Sequence, residues 1–75
     1  MQVTIFTKAN CPQCERTKTA MDILGIPYRT VDVQQNEREA ARLMQAGFRS
    51  LPVVEAGDTS WCGYDEEKIK RLVSY

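Results

Sequence analysis

The stretch Gln2-Val3-Thr4-Ile5-Phe6-Thr7-Lys8-Ala9-Asn10-Cys11-Pro12-Gln13-Cys14-Glu15 decides the fold. Gln2 to Phe6 is a short run rich in β-branched and aromatic residues, and Thr7-Lys8-Ala9-Asn10 reads as the turn after it. Pro12 suits a first helical position, where its missing N–H would have no partner anyway, and Glu15 in the first turn complements the helix dipole. A strand, a turn and a helix therefore meet at two cysteines three residues apart. Further along this helix, Ala20, Met21, Ile23 and Leu24 supply its apolar face and Gly25 its stop.

The remaining chain continues the alternation. Pro27 opens a second strand, Tyr28 to Val33, at a position where a strand tolerates proline. Asn36 is an N-cap with Glu39 as its capping-box partner, Ala40, Leu43 and Met44 share one helical face, and Gly47 ends the helix. Leu51-Pro52-Val53-Val54-Glu55 and Thr59-Ser60-Trp61-Cys62 flank the turn Ala56-Gly57-Asp58 and read as a hairpin. Asp65 caps a last helix with Glu66 and Glu67 in its first turn, Lys68, Lys70 and Arg71 towards its end, and Ile69, Leu72 and Val73 on its buried face. The order is β-α-β-α-β-β-α. Its first two strands are parallel across a right-handed crossover and its last two antiparallel, so an α/β fold with a mixed four-stranded sheet and helices on both faces is expected. The pattern leaves the order of the strands open.

Seventy-five residues allow one domain, 1–75, with one modest core. Apolar residues make up 43% of the chain, enough for a globular protein. Ten basic and ten acidic residues cancel, which gives nucleic-acid binding no support. Apolar runs last only a few residues, so no membrane span is expected. Met1-Gln2-Val3-Thr4-Ile5-Phe6 carries no basic leader or cleavage site, and the expected location is the cytoplasm. Three cysteines, an odd number, argue against a secreted disulfide framework. The chain has no histidine, which removes Cys-His and Ser-His catalysis and every His-containing metal site.

Cys11 at the start of a helix and Cys14 one turn later can lie on the same side of the helix end, close enough to join. Free helix N–H groups and the positive dipole end stabilise a thiolate there, roughly one or more units below the free cysteine pKa of ~8.5. Cys11, the outer residue, is the expected nucleophile on a substrate disulfide, and Cys14 the resolving thiol. Lys8 either adds positive potential near Cys11 or is a solvated turn residue. A structural zinc site would need about four ligands, and beyond the pair only Cys62 remains, so no metal is expected. Two cysteines spaced in this way at a strand–helix junction are more than buried small hydrophobes.

Phe6-Thr7-Lys8-Ala9-Asn10-Cys11-Pro12-Gln13-Cys14 resembles the glutaredoxins, Ser50-Leu51-Pro52-Val53-Val54 their cis-proline segment, and Trp61-Cys62-Gly63-Tyr64-Asp65 the turn before their last helix. Within that thioredoxin-like fold family the closest likeness is to the NrdH-redoxins. Gln13-Cys14 agrees with their Cys-Val-Gln-Cys; Pro12 replaces their Val, Cys62 their Ser, and Tyr64-Asp65-Glu66 stands where they have Phe-Arg-Pro-Asp. The resemblance implies a cis Leu51-Pro52 bond that turns the Leu51 backbone towards Cys11, where residues alone would read a proline opening an edge strand. It implies substrate contacts from Lys8, Pro12, Gln13, Leu51, Pro52, Trp61, Gly63, Tyr64 and Asp65. It implies a monomeric electron carrier without bound cofactor, reduced from NADPH through thioredoxin reductase and serving ribonucleotide reductase. The alternative is a glutathione-dependent glutaredoxin, with Lys8, Arg49 and Asp65 around glutathione, or one bridging an iron–sulfur cluster between two chains. Cys62 stands where many glutaredoxins have glycine, so its side chain is expected to crowd glutathione.

Other residues carry two readings. Cys62 is a small, partly buried side chain or a third thiol open to oxidation. Trp61 packs the core or lines a partner surface. Arg38, Arg42 and Arg49 solvate a helix face or meet an acidic partner. Tyr64 flanks the cysteines or only closes the turn.

Overall fold

A strand buried on both sides is a central strand, and all five side chains of β1 (Val3–Thr7) are buried. It pairs in parallel with β2 (Arg29–Asp32) and antiparallel with β3 (Val53–Ala56), and β4 (Thr59–Cys62) adds antiparallel to β3. The sheet order is β2-β1-β3-β4. The computed structural model describes residues 2–73. Met1, Ser74 and Tyr75, the ends of the expected 1–75 unit, lie outside the described residues. Helices α1 (Pro12–Leu24), α2 (Glu37–Gln45) and α3 (Glu66–Arg71) complete the expected order, with a 3₁₀ turn, Val33–Gln35, ahead of α2. No helix among the described residues is long and apolar enough to cross a membrane.

The period-2 alternation of the inner strands builds two cores. Val3, Ile5, Val54 and Ala56 pack with Met21 of α1, Ile69 of α3 and Trp61 of β4. Phe6 and Val53, one residue out of step, pack with Leu43 of α2 on the other face. Helices α1 and α3 touch each other over the first core, and α2 covers the second, which makes the three-layer thioredoxin-like arrangement. Each fully buried aliphatic side chain contributes roughly 1.5–3 kcal/mol relative to exposure.

The local signals act much as their chemistry predicts. Asn36 Oδ1 accepts the Glu39 N–H at 3.2 Å and Asp65 Oδ1 the Lys68 N–H at 3.1 Å, capping α2 and α3. The capping box of α2 is only half formed. The Asn36 N–H donates to the Val33 carbonyl, and the Glu39 carboxylate turns to Arg42. Gly25 stops α1 at φ +71, where the Ile26 N–H closes on the Met21 carbonyl and the Gly25 N–H on that of Asp22.

Boundaries and facing shift in places. Thr7 belongs to β1, paired with Asp32, rather than to the turn. The second strand is Arg29–Asp32, shorter than Tyr28 to Val33, because the Asp32 carboxylate accepts the Gln34 N–H at 2.8 Å and starts the 3₁₀ turn at Val33. Ile23, Leu24, Met44 and Val73, expected to face inward, are exposed. Cys14, Thr17 and Met21 form the buried stripe of α1, and Ile23 stands about 200° around the helix from Met21. Met44 sits one residue past the only buried position of α2, and Val73 follows the end of α3.

Candidate active site

Between the end of β1 and the start of α1 the chain turns at Asn10, which takes φ +56, a left-handed conformation that asparagine tolerates. Cys11 then becomes the N-cap of α1 with extended backbone, and Pro12 opens the helix. Cys11 and Cys14 are joined as a disulfide, their Cα atoms 5.2 Å apart. The Cys14 N–H, one of the helix donors without an intrahelical partner, donates to Cys11 Sγ at 3.2 Å. Cys14 is completely buried, whereas Cys11 keeps 7% of its surface. The two sulfurs thus differ in access although they sit in the same turn.

A second segment faces Cys11. Leu51-Pro52 is a cis peptide, as the resemblance implies, and the Leu51 carbonyl oxygen lies 3.9 Å from Cys11 Sγ. The turn after β4 closes the third side. The Gly63 N–H donates to the Pro52 carbonyl at 2.8 Å, and the Tyr64 N–H donates to Gln13 Oε1 at 3.3 Å. Gly63 has φ +83, and a Cβ there would stand 3.5 Å from Gln13 Oε1, so this position favours glycine on backbone grounds. The Arg16 guanidinium lies 5.4 Å from the centre of the Tyr64 ring, a cation–π distance.

Beside Leu51 a groove of about 550 Å³ runs between the sheet and α2. Val33, Leu43, Phe48, Leu51 and Val53 give it an apolar lining, with Lys8 and Arg49 among its polar residues. Neither cation has an ion-pair partner among the described residues.

Among the residues expected at the site, Lys8, Pro12, Gln13, Leu51, Pro52, Gly63 and Tyr64 lie on the three segments around Cys11 or in the adjoining groove. Two have other surroundings. Trp61 is buried in the α1–α3 core, on the sheet face opposite the groove, with its indole N–H unpartnered. The Asp65 carboxylate caps α3. Cys62, expected to be partly buried, is a free and exposed cysteine, because β4 is an edge strand and the residue faces away from the Trp61 side. Of the three arginines considered together, Arg49 lines the groove and Arg42 turns to Glu39 and Glu55. The groove's apolar lining was missed in the sequence; Phe48, directly after the Gly47 stop, was its one visible sign.

The glutaredoxin family model matches residues 3–64. The glutaredoxin-like protein NrdH of Salmonella typhimurium is 46% identical over 72 residues, covering 96% of this chain and 89% of that protein. The solved structure of NrdH-redoxin from Escherichia coli, described as glutaredoxin-like with a thioredoxin-like activity profile, superposes with a TM-score of 0.97. It is 41% identical, with coverage of 100% of this chain and 99% of that one. A buckwheat glutaredoxin solved in complex with glutathione is 31% identical with a TM-score of 0.73, over 93% of this chain and 67% of that one.

Proposed function

This chain belongs to the glutaredoxin family, and from that membership we propose that it is a small dithiol carrier that reduces protein disulfides. The observation that carries the reading is the unequal access of the two sulfurs: Cys11 keeps 7% of its surface and takes a helix N–H on its Sγ, whereas Cys14 is wholly buried. In the reduced protein the Cys11 thiolate attacks one sulfur of a substrate disulfide. A Cys11–substrate mixed disulfide forms and the other substrate sulfur leaves as a thiol. Cys14, deprotonated, then attacks Cys11 Sγ, releases the second substrate thiol and closes the Cys11–Cys14 disulfide. Two electrons and two protons from a reductant restore the dithiol. The Leu51 backbone, the Gly63–Tyr64 turn and the groove beyond Leu51 are the surfaces offered to the substrate chain, with the exposed Pro12 and Lys8 at their edges and Pro52 buried beneath.

For its partners we propose NADPH and thioredoxin reductase as the electron source and ribonucleotide reductase as the destination, in the cytoplasm and with no resident cofactor, a reading supported by the likeness to NrdH proteins and by the thioredoxin-like activity profile ascribed to one of them. A second reading has its own support. Lys8 and Arg49, without ion-pair partners among the described residues, are cations on one groove, suited to the carboxylates of glutathione. A coupled assay separates the two: NADPH oxidation with thioredoxin reductase should sustain disulfide reduction, whereas glutathione with glutathione reductase should not. Equal turnover with glutathione would transfer the protein to the second reading.

A further inference from the structure

Gln13 stands between the two cysteines with its side chain exposed, which is where a substrate contact is expected. Its amide oxygen is instead used within the protein. Oε1 accepts the Tyr64 N–H at 3.3 Å, across 51 residues of sequence. The neighbouring N–H, that of Gly63, donates to the Pro52 carbonyl at 2.8 Å. The Gly63–Tyr64 turn is therefore tied to the first turn of α1 by one hydrogen bond and to the cis-proline segment by the next. The path closes on itself, because Leu51 O faces Cys11 Sγ at 3.9 Å.

The tie has mechanical weight because of where the turn sits. β4 is an edge strand, paired only with β3, so no ladder holds the turn from its outer side. Among the described residues, α1 hydrogen-bonds the turn backbone only through Gln13; Arg16 over the Tyr64 ring is a side-chain contact.

We infer that Gln13 is a positioning residue: its amide oxygen holds the Gly63–Tyr64 turn, and through it the Leu51-Pro52 segment, at the distance from Cys11 that an incoming protein chain requires. This rests on the reading of Cys11 and Cys14 as a protein-disulfide reductase. The tie acts on the surfaces that bracket the substrate chain and leaves the sulfur chemistry alone, since the helix N–H on Cys11 Sγ comes from Cys14. Gln13 thus bears on how well a protein substrate binds.

The test compares wild type, Gln13→Met and Gln13→Glu, with dithiothreitol as the electron source and two substrates, insulin and a small aromatic disulfide. Methionine keeps length and removes the acceptor; glutamate keeps an acceptor oxygen. Gln13→Met should raise KM for insulin roughly two- to tenfold, the factor one neutral hydrogen bond commonly carries, with kcat unchanged. The fall in kcat/KM on the small disulfide should be clearly smaller than that on insulin, and Gln13→Glu should return the insulin KM towards the wild-type value. An unmoved KM in Gln13→Met, a parallel loss on both substrates with a lowered Tm, or no rescue by Gln13→Glu would each overturn the inference. Wild-type protein inactive on insulin would instead bring down the reductase reading, and the inference with it.

Discussion

Arg42 on α2 donates to the Glu55 carboxylate on β3 at 2.9 Å, bridging the helix to the sheet it covers. The same guanidinium holds Glu39 at 2.6 Å and lies 5.5 Å from the centre of the Phe6 ring. Its hydrogen bonds to the carboxylates of Glu55 first and Glu39 second hold it charged well above the ordinary arginine range. This matters for α2 because Leu43 is the helix's only buried side chain, and α2 is one wall of the groove.

Arg42→Met should therefore loosen α2 without unfolding the protein. The group is half exposed, so the loss should be about 1 kcal/mol or less, a Tm decrease of a few degrees for a domain of this size. The decrease should shrink when thermal melts are repeated in about 1 M salt, which screens surface charge. A difference that salt does not change would show that the contact with Phe6, rather than the ion pairs, carries the effect.

Unequal access of the sulfurs predicts unequal variants. Cys11→Ser should lose disulfide reductase activity by on the order of a hundredfold or more. Cys14→Ser should keep the attacking thiol and accumulate mixed disulfides through Cys11, visible as protein adducts on non-reducing gels and released by dithiothreitol. Adducts formed through Cys62 instead would reverse the assignment.

Cys62 is exposed and lies outside the disulfide. Oxidised protein treated with iodoacetamide should gain one label, mapped to Cys62 by mass spectrometry, and reduced protein should gain label at Cys11 as well. A disulfide in the oxidised protein other than Cys11–Cys14 would give Cys62 the redox role that its exposure permits.

Tyr28 offers a pH probe away from the site. Burial first, then a hydrogen bond to Asp22 and the charges of Asp22 and Glu15, push its phenol pKa above 10.0. The folded state thus prefers the neutral phenol. The stability this contributes is fully present below the unfolded pKa of ~10 and is lost as pH rises through the folded value. In urea titrations, wild type should weaken above about pH 10 more steeply than Tyr28→Phe does. Parallel curves for the two proteins would remove Tyr28 from the account.

Much of the molecule was legible because its signals act over a few residues. A cap needs only a carboxylate or amide three positions from an N–H, so Asn36 and Asp65 declared the starts of α2 and α3. Gly25 declared a stop in the same way. Facing was harder to read. Ile23 and Met44 are apolar and near the right spacing, yet only the packed neighbours decide which side of a helix is covered.

The sequence by itself determined the order of elements and put Cys11 and Cys14 at the first turn of a helix, where the backbone donors are. These are consequences of chain connectivity and local hydrogen bonding. The tertiary structure alone decided the order β2-β1-β3-β4, the placement of Trp61 on the face away from the groove, and the convergence of Lys8, Phe48 and Leu51 on that groove. It also brought the exposed Gln13 amide to the Tyr64 N–H, a partner 51 residues away. Apolar burial is non-directional, so a hydrophobic pattern states that a residue must be covered; which distant segment covers it is settled only when the layers pack.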